Sequence, residues 1–97
     1  MLANVKTVRG IVQTLCNLKG DSGWYRRQWA DKAVDATKRN MAFRFWDETE
    51  ADAVAKRLQV ALKHKGYTNK VNRTDVDSDY MTRTEGGHYV RVQALFE

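Results

Sequence analysis

The sequence predicts an α+β fold in one small domain that spans residues 1–97. Two observations lead to this class. The stretch from Phe43 to Gly66 has the pattern of a short aromatic strand followed directly by a capped helix that ends at a glycine. The segment from His88 to Phe96 alternates apolar and polar residues, which is typical of a strand with one buried face. We therefore expect a sheet packed by one helix.

The N-terminal part, residues 1–41, is predicted to be basic and helical, ahead of a βαββ core at 42–97. Apolar residues recur at spacings of three and four within residues 4–19, as on one face of a helix. Gly10 and the β-branched valines lower helix propensity there, so a strand is the alternative. After a glycine-containing loop, the alanines and the basic end of the segment from Trp24 to about Arg39 favour a second helix.

The third predicted helix, at 48–65, has the strongest local signals. Asp47 can cap it, and Glu50 stands where a capping box places an acid. Acidic residues begin the helix and basic residues end it, so both ends complement the helix dipole. Gly66 ends the helix. The predicted buried stripe consists of Ala51, Val54, Ala55, Leu58, Ala61 and Leu62.

Three strands are predicted, at 42–46, 67–74 and 88–96. The second is polar, as edge strands often are, and a long acidic connection at 75–87 follows it. With a right-handed crossover, the third strand can pair between the first two. The result is a three-stranded antiparallel sheet in the order first, third, second, with element order α-α-β-α-β-β. Its expected core-facing residues are Phe43, Phe45, Tyr67, Val71, Val90, Val92, Ala94 and Phe96.

Charge is distributed unevenly along the chain, whose formal net charge is +5. Residues 1–41 contain 8 Lys or Arg and 3 Asp or Glu, whereas residues 42–97 contain 9 of each. A polyanion is therefore expected to dock on the N-terminal part. No apolar run is long enough for a membrane span or a signal peptide, and the single cysteine, Cys16, suits a reducing compartment, so we expect a cytoplasmic protein without a membrane partner.

Two groups of residues are candidate binding sites. In the segment 23–29, arginines alternate with aromatic residues, which would suit phosphates and unpaired bases. Alternatively, these aromatic residues fill the core. The second candidate is the sheet face away from the helix at 48–65, unless the N-terminal helices cover it. The predicted binding residues are Trp24, Arg26, Arg27, Trp29, Lys38, Arg39, Arg44, Trp46 and Arg91, with Tyr89, Gln93 and Lys70 or Asn72 beside them.

The remaining motifs indicate little chemistry. Asp75 to Asp79 resembles the start of a calcium loop, but Tyr80 stands where that loop requires glycine. His88 beside two glycines could act as a general acid or base, although the sequence identifies no partner for it. We expect no metal and no cofactor.

The sequence thus predicts a small non-enzymatic protein that binds nucleic acid, with its N-terminal helical region on the phosphates. The alternative is a protein-interaction module, such as an inhibitor or adaptor. A small nuclease that uses His88 ranks third.

Overall fold

A computed structural model describes residues 1–16, 25–30 and 38–96, with residues 25–30 described by their backbone only. The elements follow the order α1-β1-β2-α2-β3-β4. Their bounds are α1 Val5–Cys16, β1 Tyr25–Ala30, β2 Lys38–Phe45, α2 Glu48–His64, β3 Val71–Val76 and β4 Gly87–Leu95. The predicted α+β class is confirmed.

The sheet has the strand order β1-β2-β4-β3, and every pair of neighbours is antiparallel. The strands β2, β4 and β3 correspond to the predicted first, third and second strands, so their predicted order is confirmed. β3 lies at an edge, as its polarity indicated. It begins at Val71, later than predicted, and extends to Val76, which shortens the connection to β4.

The predicted second helix, over 24–39, is wrong wherever the structure describes this segment. Tyr25–Ala30 forms β1, which pairs with β2 from Arg39 to Arg44, and Lys38 already belongs to β2. The other residues of the predicted helix lie outside the described residues. Helix propensity is a weak preference that tertiary pairing overrides, and here the strand supplies backbone partners for one side of β2. Lys38 and Arg39 therefore do not complement a helix dipole.

Both helices pack on the same face of the sheet. The central strands contribute alternate residues to this core, because successive side chains of a strand point to opposite faces. α1 lies against α2 and β4, and α2 lies against β2, β3 and β4. The buried core consists of Ala3, Val5, Val8 and Val12, then Met41, Phe43 and Phe45, then Ala51, Val54, Ala55, Leu58 and Leu62, and finally Val90, Val92 and Ala94.

The caps of α2 are those that the sequence predicts. Asp47 accepts hydrogen bonds from the backbone N–H groups of Thr49 (3.4 Å) and Glu50 (3.3 Å). Gly66 adopts a φ of 86°, the left-handed conformation that favours glycine at the end of a helix. Among the described residues, neither helix is long and apolar enough to cross a membrane.

A buried asparagine ties the N-terminus to the rest of the domain. Asn69 is 1% exposed, and its side-chain oxygen accepts a hydrogen bond from Ala3 N (2.8 Å). Its amide nitrogen donates to Gln93 O (2.7 Å). Leu95 N donates to Ala3 O (3.1 Å), so the first residues run alongside β4 before α1 begins.

Candidate functional site on the outer face of the sheet

The face of the sheet opposite α1 and α2 is called the outer face below. It follows from the alternation of the strands, since Met41, Phe43 and Phe45 are buried on the helix side. Within the part of the chain that the structure describes, no helix packs on the outer face. The outer-face positions are Lys38, Asn40, Ala42 and Arg44 of β2, Asn72, Thr74 and Val76 of β3, and Gly87, Tyr89, Arg91, Gln93 and Leu95 of β4.

Arg44 and Trp46 form a stacked pair at one end of β2. The guanidinium carbon of Arg44 lies 3.8 Å from the centroid of the Trp46 ring, which is a cation–π contact. Arg44 Nε also donates a hydrogen bond to Gly86 O (2.7 Å). A Cβ on Gly87 would lie 2.7 Å from Arg44 Nε, so only glycine allows this close approach. Trp46 follows Phe45, the last residue of β2, and its side chain is 66% exposed despite this contact.

Arg91 lies over a second aromatic ring on the same face. Its guanidinium carbon is 5.2 Å from the centroid of the Tyr89 ring. Tyr89 is only 3% exposed, and its hydroxyl donates to Glu85 O (2.9 Å). Tyr89 therefore supports the surface, whereas Trp46, among the aromatic side chains that the structure describes near this face, is exposed enough for a ligand to reach.

The strands that carry this face are basic. The described strands β1, β2 and β4 contain no Asp or Glu, and their cations are Arg26, Arg27, Lys38, Arg39, Arg44 and Arg91. The acids of the described chain lie at the N-cap and in the first two turns of α2, and in and around the β3–β4 hairpin. Of these, Lys38, Arg44 and Arg91 lie on the outer face. A surface with one sign of charge raises the local concentration of the opposite sign, so this face favours anions.

The structure brings together only part of the predicted site. Arg44, Trp46 and Arg91 share the outer face, and Lys38 joins them at the far end of β2. Arg39 does not, because it alternates to the helix side, where its guanidinium carbon lies 4.2 Å from the centroid of the Phe96 ring.

In the backbone register, Arg26 is opposite Phe43, Arg27 is opposite Ala42 and Trp29 is opposite Asn40. Trp24 lies outside the described residues. The sequence offered Lys70 or Asn72 as a further residue of this face. Asn72 lies on it, opposite Arg91 in the register, whereas Lys70 precedes β3.

His88 has a partner that the sequence did not reveal. Its Nδ1 lies 2.8 Å from Asp75 Oδ1, and Arg73 Nη2 lies 2.9 Å from the same oxygen. Arg73 Nε also pairs with Asp52 Oδ1 of α2 at 2.8 Å. The antiparallel register pairs Asp75 with His88, and the strand that the sequence predicts over 67–74 ends one residue before this contact.

The pKa values of Asp75 and Arg73 shift as a result of these contacts. The hydrogen bond from His88, followed by that from Arg73, lowers the pKa of Asp75. Partial burial lowers the pKa of Arg73, but its two carboxylate partners outweigh burial and raise it. Arg73 thus pairs with Asp52 of α2 and with Asp75 of its own strand, and the contact of Asp75 with His88 joins β3 to β4.

The acids that resembled a calcium loop have other roles. Asp75 belongs to the cluster just described, and Asp79 Oδ1 accepts hydrogen bonds from Met81 N (3.0 Å) and Thr82 N (3.4 Å). Among the described residues, no three His, Cys, Asp or Glu side chains lie together as metal ligands would. A search of family models, curated proteins and solved structures found no match to this chain.

Proposed function

We propose that the protein binds single-stranded nucleic acid on the outer face of its sheet. The observation that carries this proposal is the combination of an exposed tryptophan with cations on an acid-free set of strands. Trp46 is 66% exposed and is held in place by Arg44. A flat ring of this kind can stack on an unpaired base, and stacking does not depend strongly on the identity of the base.

The geometry of the face suits a short single strand. Lys38 and Arg44 stand at opposite ends of β2, about 20 Å apart at roughly 3.3 Å per residue. An extended binding site of this length fits the lower end of the range for single-stranded sites, about four nucleotides. In a duplex the bases are already stacked on one another, so Trp46 would have no ring to contact.

The N-terminal part is still proposed to contact phosphates, but through a strand and not through a helix. The predicted phosphate contacts by Arg26 and Arg27 now belong to a strand adjacent to β2, and no longer to a helix. In the register, position 27 is opposite Ala42 of the outer face, whereas position 26 is opposite Phe43 of the helix side, so Arg27 is the β1 cation at an outer-face position. We infer that the bases lie near Trp46 and that the phosphates follow β2 and β1.

The test is a titration of a fluorescently labelled oligonucleotide, as single-stranded RNA, single-stranded DNA and duplex DNA. We expect the single strands to bind more tightly than the duplex. Raising the salt concentration from about 50 mM to about 200 mM should weaken binding, because phosphate contacts release counterions. No binding of any single strand at the lower salt concentration would reject the proposed function.

Two substitutions and two matched controls locate the site. Trp46→Ala should weaken binding about 5- to 150-fold, the range for one stacked base. Lys38→Ala should reduce the slope of log K against log salt by about 0.7, the value for one single-strand phosphate contact. The controls are Val60→Ala and Lys56→Ala, which remove an exposed apolar side chain and an exposed lysine from α2 on the other side of the domain. Equal effects in site and control variants would place the site elsewhere.

A further inference from the structure

The first residue of β4, Gly87, lies directly against the side chain of Arg44. A Cβ at Gly87 would lie 2.7 Å from Arg44 Nε, 2.9 Å from its Cγ and 3.2 Å from its Cδ. The register pairs position 44 with position 89 and position 45 with position 88, so Gly87 comes level with Trp46. On its way toward the Trp46 ring, the side chain of Arg44 therefore fills the space that a side chain at position 87 would occupy.

The backbone just before Gly87 holds the same arginine at a second point. Arg44 Nε donates a hydrogen bond to Gly86 O at 2.7 Å. Gly86 is itself fixed, because its N–H donates to Ser78 Oγ at 3.2 Å, and a Cβ on Gly86 would lie 2.5 Å from that oxygen. The acceptor of Arg44 is therefore a carbonyl in a restrained part of the backbone.

Arg44 in turn restrains the Trp46 ring. Its guanidinium carbon lies 3.8 Å from the centroid of the ring, so the planar group covers one side of the indole. Trp46 is 66% exposed, and a ring with most of its surface in solvent depends on such a contact for a fixed orientation. The start of β4 thus acts on Trp46 through Arg44.

We propose that Gly87 is a positioning residue of the binding surface, because its lack of a side chain allows Arg44 to hold Trp46 in the orientation that accepts a base. This inference rests on the proposed binding of single-stranded nucleic acid. A side chain that is already restrained loses less rotamer freedom when a ligand binds. Trp46 should therefore bind a base more tightly in this arrangement than as an unrestrained side chain.

Gly87→Ala tests this role, and Gly66→Ala is its matched control. Both glycines have a positive φ, 153° at Gly87 and 86° at Gly66, so alanine introduces backbone strain at each position. Apart from its chain neighbours, no atom of the described residues lies within 4 Å of a Cβ at Gly66, whereas a Cβ at Gly87 meets Arg44. A difference between the two variants therefore reports on Arg44 and not on strain alone.

Nuclear magnetic resonance of the protein without nucleic acid measures the contact itself. The Arg44 Nε–H group lies close to the Trp46 ring, so the ring current shifts its signal. Gly87→Ala should move the signals of Arg44 Nε–H and of the Trp46 indole N–H, and Gly66→Ala should leave both in place. Unchanged signals in Gly87→Ala would overturn the proposal.

Titration with the labelled single-stranded RNA measures the effect on binding. Gly87→Ala should weaken binding about 2- to 10-fold, the range for one side chain that must be immobilised by its ligand. The slope of log K against log salt should not change, because the substitution removes no charge. Gly66→Ala should bind as tightly as the unmodified chain. Equal weakening in the two glycine variants, or a smaller slope in Gly87→Ala, would refute the positioning role.

The Arg44→Ala background separates positioning from a general effect on the fold. Arg44→Ala removes the three atoms nearest to a Cβ at Gly87, so a second substitution, Gly87→Ala, should weaken RNA binding no further. If Gly87→Ala folds only in the Arg44→Ala background, the collision with Arg44 accounts for the loss and the proposal is supported. Additive effects on binding, or failure to fold in both backgrounds, would show that Gly87 acts through another part of the structure.

The two measurements also separate this inference from the proposed function. If the Arg44 and Trp46 signals move as expected but the unmodified chain binds no RNA, the proposed function fails, whereas the positioning of Trp46 by Gly87 stands. If the unmodified chain binds RNA and Gly87→Ala binds it equally well, the binding function stands and Gly87 has no part in it.

Discussion

Replacing Asn69 by alanine should destabilise the protein far more than a typical loop substitution. The side chain is buried and bridges two separate parts of the backbone, through Ala3 N at 2.8 Å and Gln93 O at 2.7 Å. Alanine satisfies neither group. A buried donor or acceptor that loses its partner costs about 1–3 kcal/mol, and Ala3 is itself 1% exposed.

For Ala3 N–H and Gln93 C=O together, the loss in the free energy of unfolding is about 2–4 kcal/mol. This figure allows for partial rehydration of the Gln93 carbonyl, because Gln93 is half-buried. For a domain near 100 residues, 1 kcal/mol corresponds to about 4–8 °C in the melting temperature, so the midpoint should fall by roughly 10–25 °C. Total stabilities of small domains are about 5–15 kcal/mol, so the variant should still fold at low temperature.

Urea denaturation followed by circular dichroism measures the change in the free energy of unfolding. Asn72→Ala is the matched control, because Asn72 is an exposed asparagine on the neighbouring strand β3; its effect should stay within about 0.5 kcal/mol. Amide hydrogen exchange supplies a second readout, since Ala3 N–H should exchange faster once Asn69 is replaced. The reasoning is refuted if Asn69→Ala and Asn72→Ala have equal stabilities, or if the exchange of Ala3 does not change.

Two further predictions follow from shifted pKa values. Burial raises the pKa of the Cys16 thiol to about 11, so alkylation by iodoacetamide at pH 8 should be roughly a hundredfold slower than that of an unfolded control in urea, and equal rates would contradict this burial. The pKa of Asp75 is lowered by His88 and Arg73, so its stabilising effect is present above the unfolded pKa of about 4 and is lost as the pH falls through the folded pKa. Asp75→Asn should therefore lower the melting temperature more at pH 7 than at pH 2.5, whereas the exposed Asp77→Asn should change it little at either pH. An equal loss for Asp75→Asn at both pH values would show that the ion pairs do not account for it.

The strand and helix from Phe43 to Gly66 could be predicted because their signals are local. The Asp47 cap, the helical spacing of apolar residues and the terminal glycine each restrict the same few dihedral angles, and all agree. β4 could be predicted for a similar reason, since Val90 and Val92 alternate with polar residues. Sheet order followed from the handedness of the crossover, which is a rule about chain geometry and not about particular side chains.

The contacts of the candidate site could be predicted only in part. Alternation alone placed Arg44 and Arg91 on one face, opposite Phe43. In contrast, the contacts of His88 with Asp75 depend on where β3 ends, and strand ends are poorly marked in a sequence. Asn69 gave no signal, because it lies in the polar segment 67–74 that the sequence predicts as an exposed edge strand. Its burial results from the packing of the N-terminus beside β4, which is a long-range event.

The prediction of a second helix over 24–39 was wrong for a reason that bears on function. A helix over 24–39 would need to bury an apolar face, and the outer face of the sheet was the open place for it. In the structure, Tyr25–Ala30 instead lies in the plane of the sheet and widens it. Because α1 packs beside α2 on the other side, the described elements leave Trp46 exposed next to Arg44. Residues 25–30 therefore form a strand that widens the sheet, and they do not form a helix that covers its outer face. The proposal that this face binds nucleic acid rests on that arrangement more than on the net charge of the chain.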